Sequence, residues 1–141
     1  MKKALWIIIL VSAFVQLTRA QIPFFQHYRL LKRSESVHVN VIFQDKFGFM
    51  WYGTNQGLFR FDGNNLDRYD ISDSLPDNHV TAIAEDSLGR IWTGHRNGKL
   101  AHIEKGKIVP FSSDEGLSSN EISDILFDRK GNLIMVCFPY G

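Results

Sequence analysis

The sequence predicts an all-β protein assembled from repeated four-stranded units, and three observations carry that expectation. First, matched residues recur at fixed steps. Asp45, Asp86 and Asp128 form one set, Gly48, Gly89 and Gly131 a second, Val39, Val80 and Ile122 a third, and Tyr28, Tyr69 and Phe111 a fourth. In all four sets the steps are 41 and then 42 residues. Second, each period contains short runs of β-branched and aromatic residues separated by Gly, Asn and Asp. Third, no segment beyond residue 20 sustains a helical period. Four short strands in a repeat of about 40–45 residues make a β-propeller blade. One blade cannot bury its apolar face alone, so blades must stack. The sequence contains two complete blades and part of a third, an incomplete ring.

Residues 1–20 read as a secretory signal. Lys2 and Lys3 supply positive charge, an apolar stretch follows from Ala4 to Val15, and Thr18 and Ala20 place small residues before a cleavage point at Gln21. The apolar stretch is too short to span a bilayer. The expected location is therefore periplasmic, or otherwise outside the cytoplasm. Residues 21–35 form a leader. Within it, Phe24 to Leu31 aligns through Tyr28 with the last strand of a blade and is expected to close a ring by pairing with a neighbouring blade.

Residues 36–77 are the first blade. Val37 to Phe43 is its first strand, and Asp45-Lys46-Phe47-Gly48 is a turn, because Asp accepts from amides just ahead of it and Gly admits positive φ. Phe49 to Gly53 is the second strand and Asn55-Gln56-Gly57 turns the chain. Leu58 to Phe61 follows, then a two-residue hairpin signal at Asp62-Gly63, then Asn65 to Tyr69. Ser72 to Asn78 connects onward. Residues 78–118 are the second blade, with strands at Val80 to Ala84, Arg90 to Gly94, Leu100 to Ile103 and Lys107 to Phe111. Their turns lie at Asp86 to Gly89, Asn97-Gly98 and Lys105-Gly106. One residue inserted after Gly98 lengthens the second step. Residues 119–141 are a partial third blade, with a strand at Ile122 to Phe127, a turn at Asp128 to Gly131, and a second strand starting at Asn132.

Composition narrows the function. Residues 1–20 hold Lys2, Lys3 and Arg19 and no acid, so the formal charge passes from +1 to −2 without them. A near-neutral domain with no basic cluster argues against nucleic-acid binding. Cys137 is the sole cysteine, so no disulfide forms within the chain. No metal-ligand spacing, phosphate loop or nucleophile elbow is present, and no cofactor is expected.

The frame Asp45-Lys46-Phe47-Gly48-Phe49-Met50-Trp51-Tyr52-Gly53, with Gly57-Leu58 beyond, returns as Asp86-Ser87-Leu88-Gly89-Arg90-Ile91-Trp92-Thr93-Gly94. Both resemble the two-component regulator propeller repeat, and Gly116 to Asn120 resembles its linker. The resemblance covers roughly residues 24–135. It implies the extracytoplasmic sensor region of a hybrid histidine kinase of the Bacteroidetes type, responding to an oligosaccharide. It also implies further propeller blades or a homodimer partner, with membrane attachment and kinase activity in segments downstream of these residues and a parent protein in the inner membrane. The sequence departs from the pattern at His95, Arg96 and Lys99, and again where Ile134 and Val136 replace Trp and Gly. From Met135 onward the pattern is lost.

Most repeat positions read as structural. Trp51 and Trp92 recur once per blade and are expected to pack between blades, not to stack on a sugar. Asp45, Asp86 and Asp128 lie too far apart to share a metal and serve turns, together with Gly48, Gly89 and Gly131. Gly53, Gly57, Gly94 and Gly98 complete the set. Asp70, Asp73 and Asp77 are expected to be solvated. The candidate ligand-binding residues are His38, His79, His95 and Arg96, placed on loops that a rigid scaffold would present. A solvated loop is the bland reading of His79, His95 and Arg96. The chain is expected to be non-enzymatic. The alternatives are a secreted propeller enzyme, such as a polysaccharide or lactone-ring lyase, which needs an acid–base pair on one face, and a structural or protein-interaction propeller.

Overall fold

The structure, a computed structural model, describes residues 36–112 and 120–138. The signal segment, the leader with its ring-closing strand, and residues 113–119 and 139–141 lie outside the described residues. Three antiparallel sheets follow one another along the chain. The first has the order β1-β2-β3-β4, formed by Val39–Gln44, Met50–Thr54, Gly57–Phe61 and Leu66–Tyr69. The second repeats it as β5-β6-β7-β8, formed by Val80–Glu85, Ile91–His95, Leu100–Glu104 and Lys107–Phe111. The third pairs β9, Glu121–Phe127, with β10, Leu133–Phe138. The described residues are thus all-β, in propeller blades.

Each blade begins with the same turn. The Asp45 Oδ1 accepts from the amides of Phe47 at 2.9 Å and Phe49 at 3.0 Å. Asp86 treats Leu88 and Arg90 alike, and Asp128 treats Lys130 and Asn132 alike. Gly48, Gly89 and Gly131 close these turns at φ of 90°, 83° and 84°, where a side chain is strained.

The innermost strands carry a bulge at one repeat position. Pairing shifts around Asn40 in β1 and around Thr81 in β5, and on the β9 side it shifts around Ser123. A bulge re-aims the side chain it frees. Here the freed residue reaches the next blade. Asn40 Nδ2 donates to the Val80 carbonyl at 2.9 Å, and Thr81 Oγ1 to the Ile122 carbonyl at 2.5 Å. Strands β1, β5 and β9 therefore lie side by side, joined by side chains in place of a backbone ladder.

The core sits between blades. Trp51, Leu58 and Tyr69 of the first blade meet Val80, Ile83 and Ile91 of the second. On the other face of the second blade, Ala82, Ala84 and Leu100 meet Ile122 and Ile125. Leu58, Val80, Leu100 and Ile122 are all within 1% of complete burial, and each such side chain contributes about 1.5–3 kcal/mol.

Four expectations are corrected. The first strand starts at Val39, not Val37. The Asp62-Gly63 hairpin is a four-residue loop, with Phe61 paired to Leu66. Its width follows from Asp62, whose Oδ1 gathers the amides of both Asn64 and Asn65. The connection from 72 to 78 opens with a 3-10 turn at Ile71–Asp73, closed by a capping box in which Asp70 and Asp73 each accept from the other end's backbone. These two aspartates are caps, and Asp77 likewise accepts from the His79 amide at 3.1 Å. Finally, β10 runs to Phe138 although the repeat pattern fades at Met135. A continuous apolar run pairs with β9 whether or not it keeps the repeat's Trp and Gly.

Candidate functional site

The four candidate residues fall at one end of the blades, where the innermost strand begins and the second strand ends. His38 precedes β1 and Asn55 follows β2. The His38 amide donates to Asn55 Oδ1 at 2.9 Å, and the Asn55 amide donates back to the His38 carbonyl at 3.1 Å. The second blade repeats the closure one period on, where the Arg96 amide donates to the His79 carbonyl at 3.1 Å. His38 is exposed and His79 half-buried, with Arg96 exposed beside it. The connection is stitched to this end by Asn78, whose carbonyl takes the Gly57 amide at 2.8 Å and whose Oδ1 takes the Ile71 amide at 3.0 Å.

His95 does not belong to this exposed rim. It is the last residue of β6 and is fully buried, which corrects its reading as a loop residue. Its Nε2 lies 3.1 Å from Thr93 Oγ1, and its Nδ1 has no hydrogen-bond partner among the described residues. Burial pushes its pKa from 6.5 down to about 4, against a smaller upward pull from the Asp77 backbone and charge. It is a neutral imidazole at physiological pH. In the first blade the same position is Thr54, equally buried, whose hydroxyl donates to the Gly57 carbonyl at 2.7 Å. The structure thus presents His38, His79 and Arg96 at the surface and holds His95 behind them.

The repeat aspartates do more than make turns. Asp45 Oδ2 accepts from Trp51 Nε1 at 2.9 Å, and Asp86 Oδ2 accepts from Trp92 Nε1 at 2.9 Å. Arg90 adds a 2.6 Å bond from Nε to the same Asp86 oxygen. Burial works to raise the Asp86 pKa, but the Trp92 indole and the Arg90 amide and guanidinium outweigh it and bring it to about 2. In the third blade Ile134 stands where the indole would be, and Asn132 Nδ2 takes over as donor to Asp128 Oδ2 at 2.8 Å. Both tryptophans are buried between blades. The Trp92 ring centroid is 5.4 Å from that of Phe111 and 5.9 Å from that of Phe127. Sequence reasoning missed His102, which is buried with its ring centroid 4.8 Å from that of Trp92. Its place in the alternation of β7, beside the fully buried Ala101, gave no signal.

Gly53 and Gly94 sit where neighbouring blades approach closely. A Cβ on Gly53 would come within 2.8 Å of Val80 Cγ1, and one on Gly94 within 2.6 Å of Ile122 Cγ2. No group of three or more His, Cys, Asp or Glu residues suited to a metal occurs among the described residues. No helix among them is long and apolar enough to cross a membrane.

Comparison with known proteins agrees with this architecture. Residues 74–97 match the family described as two component regulator propeller. The matched segment runs from the end of the connection through β5 and β6 and contains His79, His95 and Arg96. No curated protein matches the chain. Among solved structures, virginiamycin B lyase from Staphylococcus aureus is similar with a TM-score of 0.56 at 20% identity, over 67% of this chain and 32% of that one. A catalytically inactive form of that lyase with quinupristin is similar with a TM-score of 0.61 at 20% identity, over 74% of this chain and 36% of that one. The chain thus spans about a third of the length of these lyases, and at this identity the likeness shows the fold alone.

Proposed function

We propose that the chain is part of the ligand-sensing propeller of a two-component regulator, that it works outside the cytoplasm, and that it responds to an oligosaccharide without catalysing a reaction. One observation carries the reading: the family match at residues 74–97 falls on the segment that presents His79 and Arg96 at the blade end. His38, Asn55, His79 and Arg96 offer donors and acceptors suited to sugar hydroxyls, on loops anchored by the sheets behind them. His95 supports the rim from within. Further blades or a second copy would complete the ring, and the ligand would shift the pose of one subunit against another, with a kinase across the inner membrane reading the change.

Lyase chemistry is not carried over, because the likeness to the lyases rests on fold alone. Calorimetric titration of the purified chain with a panel of neutral and acidic oligosaccharides tests the reading. Binding of at least one class, weakened about ten-fold or more by His79→Ala or Arg96→Ala, is expected. A chain that binds no member of the panel would overturn it.

A further inference from the structure

From the blade end that carries the Asp45 turn, a groove opens between the first and second sheets. One part, about 260 Å³, is lined by Phe47, Phe49, Trp51, Arg60, Tyr69 and Lys105, together with Asp45. A second part of about 320 Å³ continues from it, sharing Tyr69 and Gly106 and adding Asp73, Ser74 and Lys107. Each part is slightly smaller than or comparable to the smallest pockets that hold drug-sized molecules. Two joined compartments of this size suit a short chain of small rings better than one compact ligand.

The lining is aromatic and basic. Phe47 stands at the lip, 72% exposed. The Lys46 ammonium lies 5.2 Å from the centroid of its ring, and most of the ring stays open to solvent. Arg60 Cζ lies 3.9 Å from the centroid of Phe49 and 5.8 Å from that of Trp51, so its guanidinium sits over the aromatic wall. Trp51 and Tyr69 stack with centroids 6.2 Å apart. Lys105 sits in a tight turn at φ 52° with Gly106 at 76°, which fixes its backbone at the groove's edge.

Positive charge is in slight excess in the groove lining. Arg60, Lys105 and Lys107 stand against two carboxylates that already accept hydrogen bonds, and beside Gly89 Lys46 is paired with Glu85 at 3.5 Å. Asp45 accepts through both oxygens from Phe47, Phe49 and Trp51, and Asp73 Oδ2 accepts from the Asp70 amide at 3.0 Å. Asp67 approaches Arg60 only to 3.8 Å, and more than half of its side chain is open to solvent, so it holds Arg60 weakly. A partner that combines apolar ring faces with negative charge fits this wall. Nucleic acid is disfavoured by the formal charge of −2 on residues 21–141.

We propose that this inter-blade groove binds an acidic oligosaccharide, with sugar ring faces against Phe47 and Tyr69 and a carboxylate held by Arg60 and Lys105. The proposal rests on the saccharide-sensing reading and assigns it a ligand class and a second site. A planar guanidinium already positioned by an aromatic face is preorganised for a carboxylate.

The test titrates the purified chain and three variants with a trigalacturonate, with the neutral galactose trimer, and with acetate. Phe47→Ala and Lys105→Gln alter exposed groups and leave the core intact, and His79→Ala reports on the exposed rim. The expected result is trigalacturonate binding at least ten-fold tighter than the neutral trimer, weakened about ten-fold in Phe47→Ala and in Lys105→Gln and unchanged in His79→Ala. Saccharide binding that is lost only in His79→Ala would overturn the groove and leave the sensor reading standing. Acetate displacing the trimer at equal concentration would reduce the site to a bare anion pocket and overturn the saccharide assignment. No saccharide binding at all would overturn both.

Discussion

Trp92 Nε1 donates to Asp86 Oδ2 at 2.9 Å across the first turn of its blade, and Trp51 makes the same bond to Asp45. The bond ties the turn to the inter-blade face, because the carboxylate that folds the turn also holds the indole that packs on the neighbour. Trp92→Phe keeps a ring against Phe111 and Phe127 but removes one donor from a buried carboxylate. Arg90 still serves that oxygen, so the cost is expected near the low end of about 1–3 kcal/mol. An unchanged urea midpoint for Trp92→Phe would show that the bond contributes nothing.

The same carboxylate predicts acid behaviour. The folded pKa of Asp86 is about 2, below its ordinary 3.8. A depressed carboxylate contributes stability above the unfolded value, and that stability is lost as pH falls through the folded one. Stability is therefore expected to drop between about pH 4 and pH 2. The drop should be shallower in Trp92→Phe, which lacks one of the bonds that lowers the pKa. Denaturant melts at several pH values between 2 and 5 would show whether the two slopes differ.

His95 governs a different window. It is depressed from 6.5 to about 4 in the folded state, so between these values the unfolded chain binds a proton that the folded chain refuses. Stability must then fall as pH drops from 6.5 towards 4, by up to about 3 kcal/mol for one group. His95→Thr installs the residue that the first blade uses at Thr54 and removes the titrating ring. The variant is expected to lose the slope in this window even if its stability at pH 8 is lower. Equal slopes in both proteins would assign the effect elsewhere.

What the sequence revealed, and what it hid, follows from the range of each interaction. The Asp-x-x-Gly turns are local, with donor and acceptor within four residues, and they were readable at Asp45, Asp86 and Asp128. The Asp–Trp bond joins residues six apart across a reversal. Its signal was present, since 45/51 and 86/92 keep one spacing and Asn132 enters where the third Trp is gone. Reading it required knowing that the indole turns back over its own turn. His95 was misplaced because a polar residue at a strand end resembles a loop, whereas the structure buries it fully at the end of β6. The exposed rim of His38, His79 and Arg96 was legible by position alone, whereas the groove was not. One wall comes from Phe47 and Arg60 of the first blade and the other from Lys105 of the second, and the two meet only when the blades stack.

Asn40 and Thr81 predict how separate the blades are. Each sits at a bulge and bonds to the next blade's innermost strand. Thr81→Val preserves shape but leaves the buried Ile122 carbonyl without this donor. A loss of about 1–2 kcal/mol is expected, with hydrogen exchange rising in β9 before β5. Protection that falls evenly through both blades would contradict a role confined to the junction.

Gly94 provides the sharpest test of blade packing. Its backbone is not in the left-handed region, so an added methyl meets only its neighbours, not a strained φ. Those neighbours are Ile122 Cγ2 at 2.6 Å, Ile122 Cβ at 3.0 Å and Ile125 Cδ1 at 3.1 Å. The two Ile122 atoms lie at the branch beside the backbone and cannot swing aside, because β9 is itself fixed to β5 through Thr81. Overpacking of this kind costs about 1–3 kcal/mol. Trimming Ile122 removes the nearest atom, so Gly94→Ala should cost less in an Ile122→Ala background than in the parent, although Ile122→Ala alone is destabilising. The double-mutant cycle measures that coupling directly. Strict additivity would mean that the third blade does not approach Gly94 in solution as it does here.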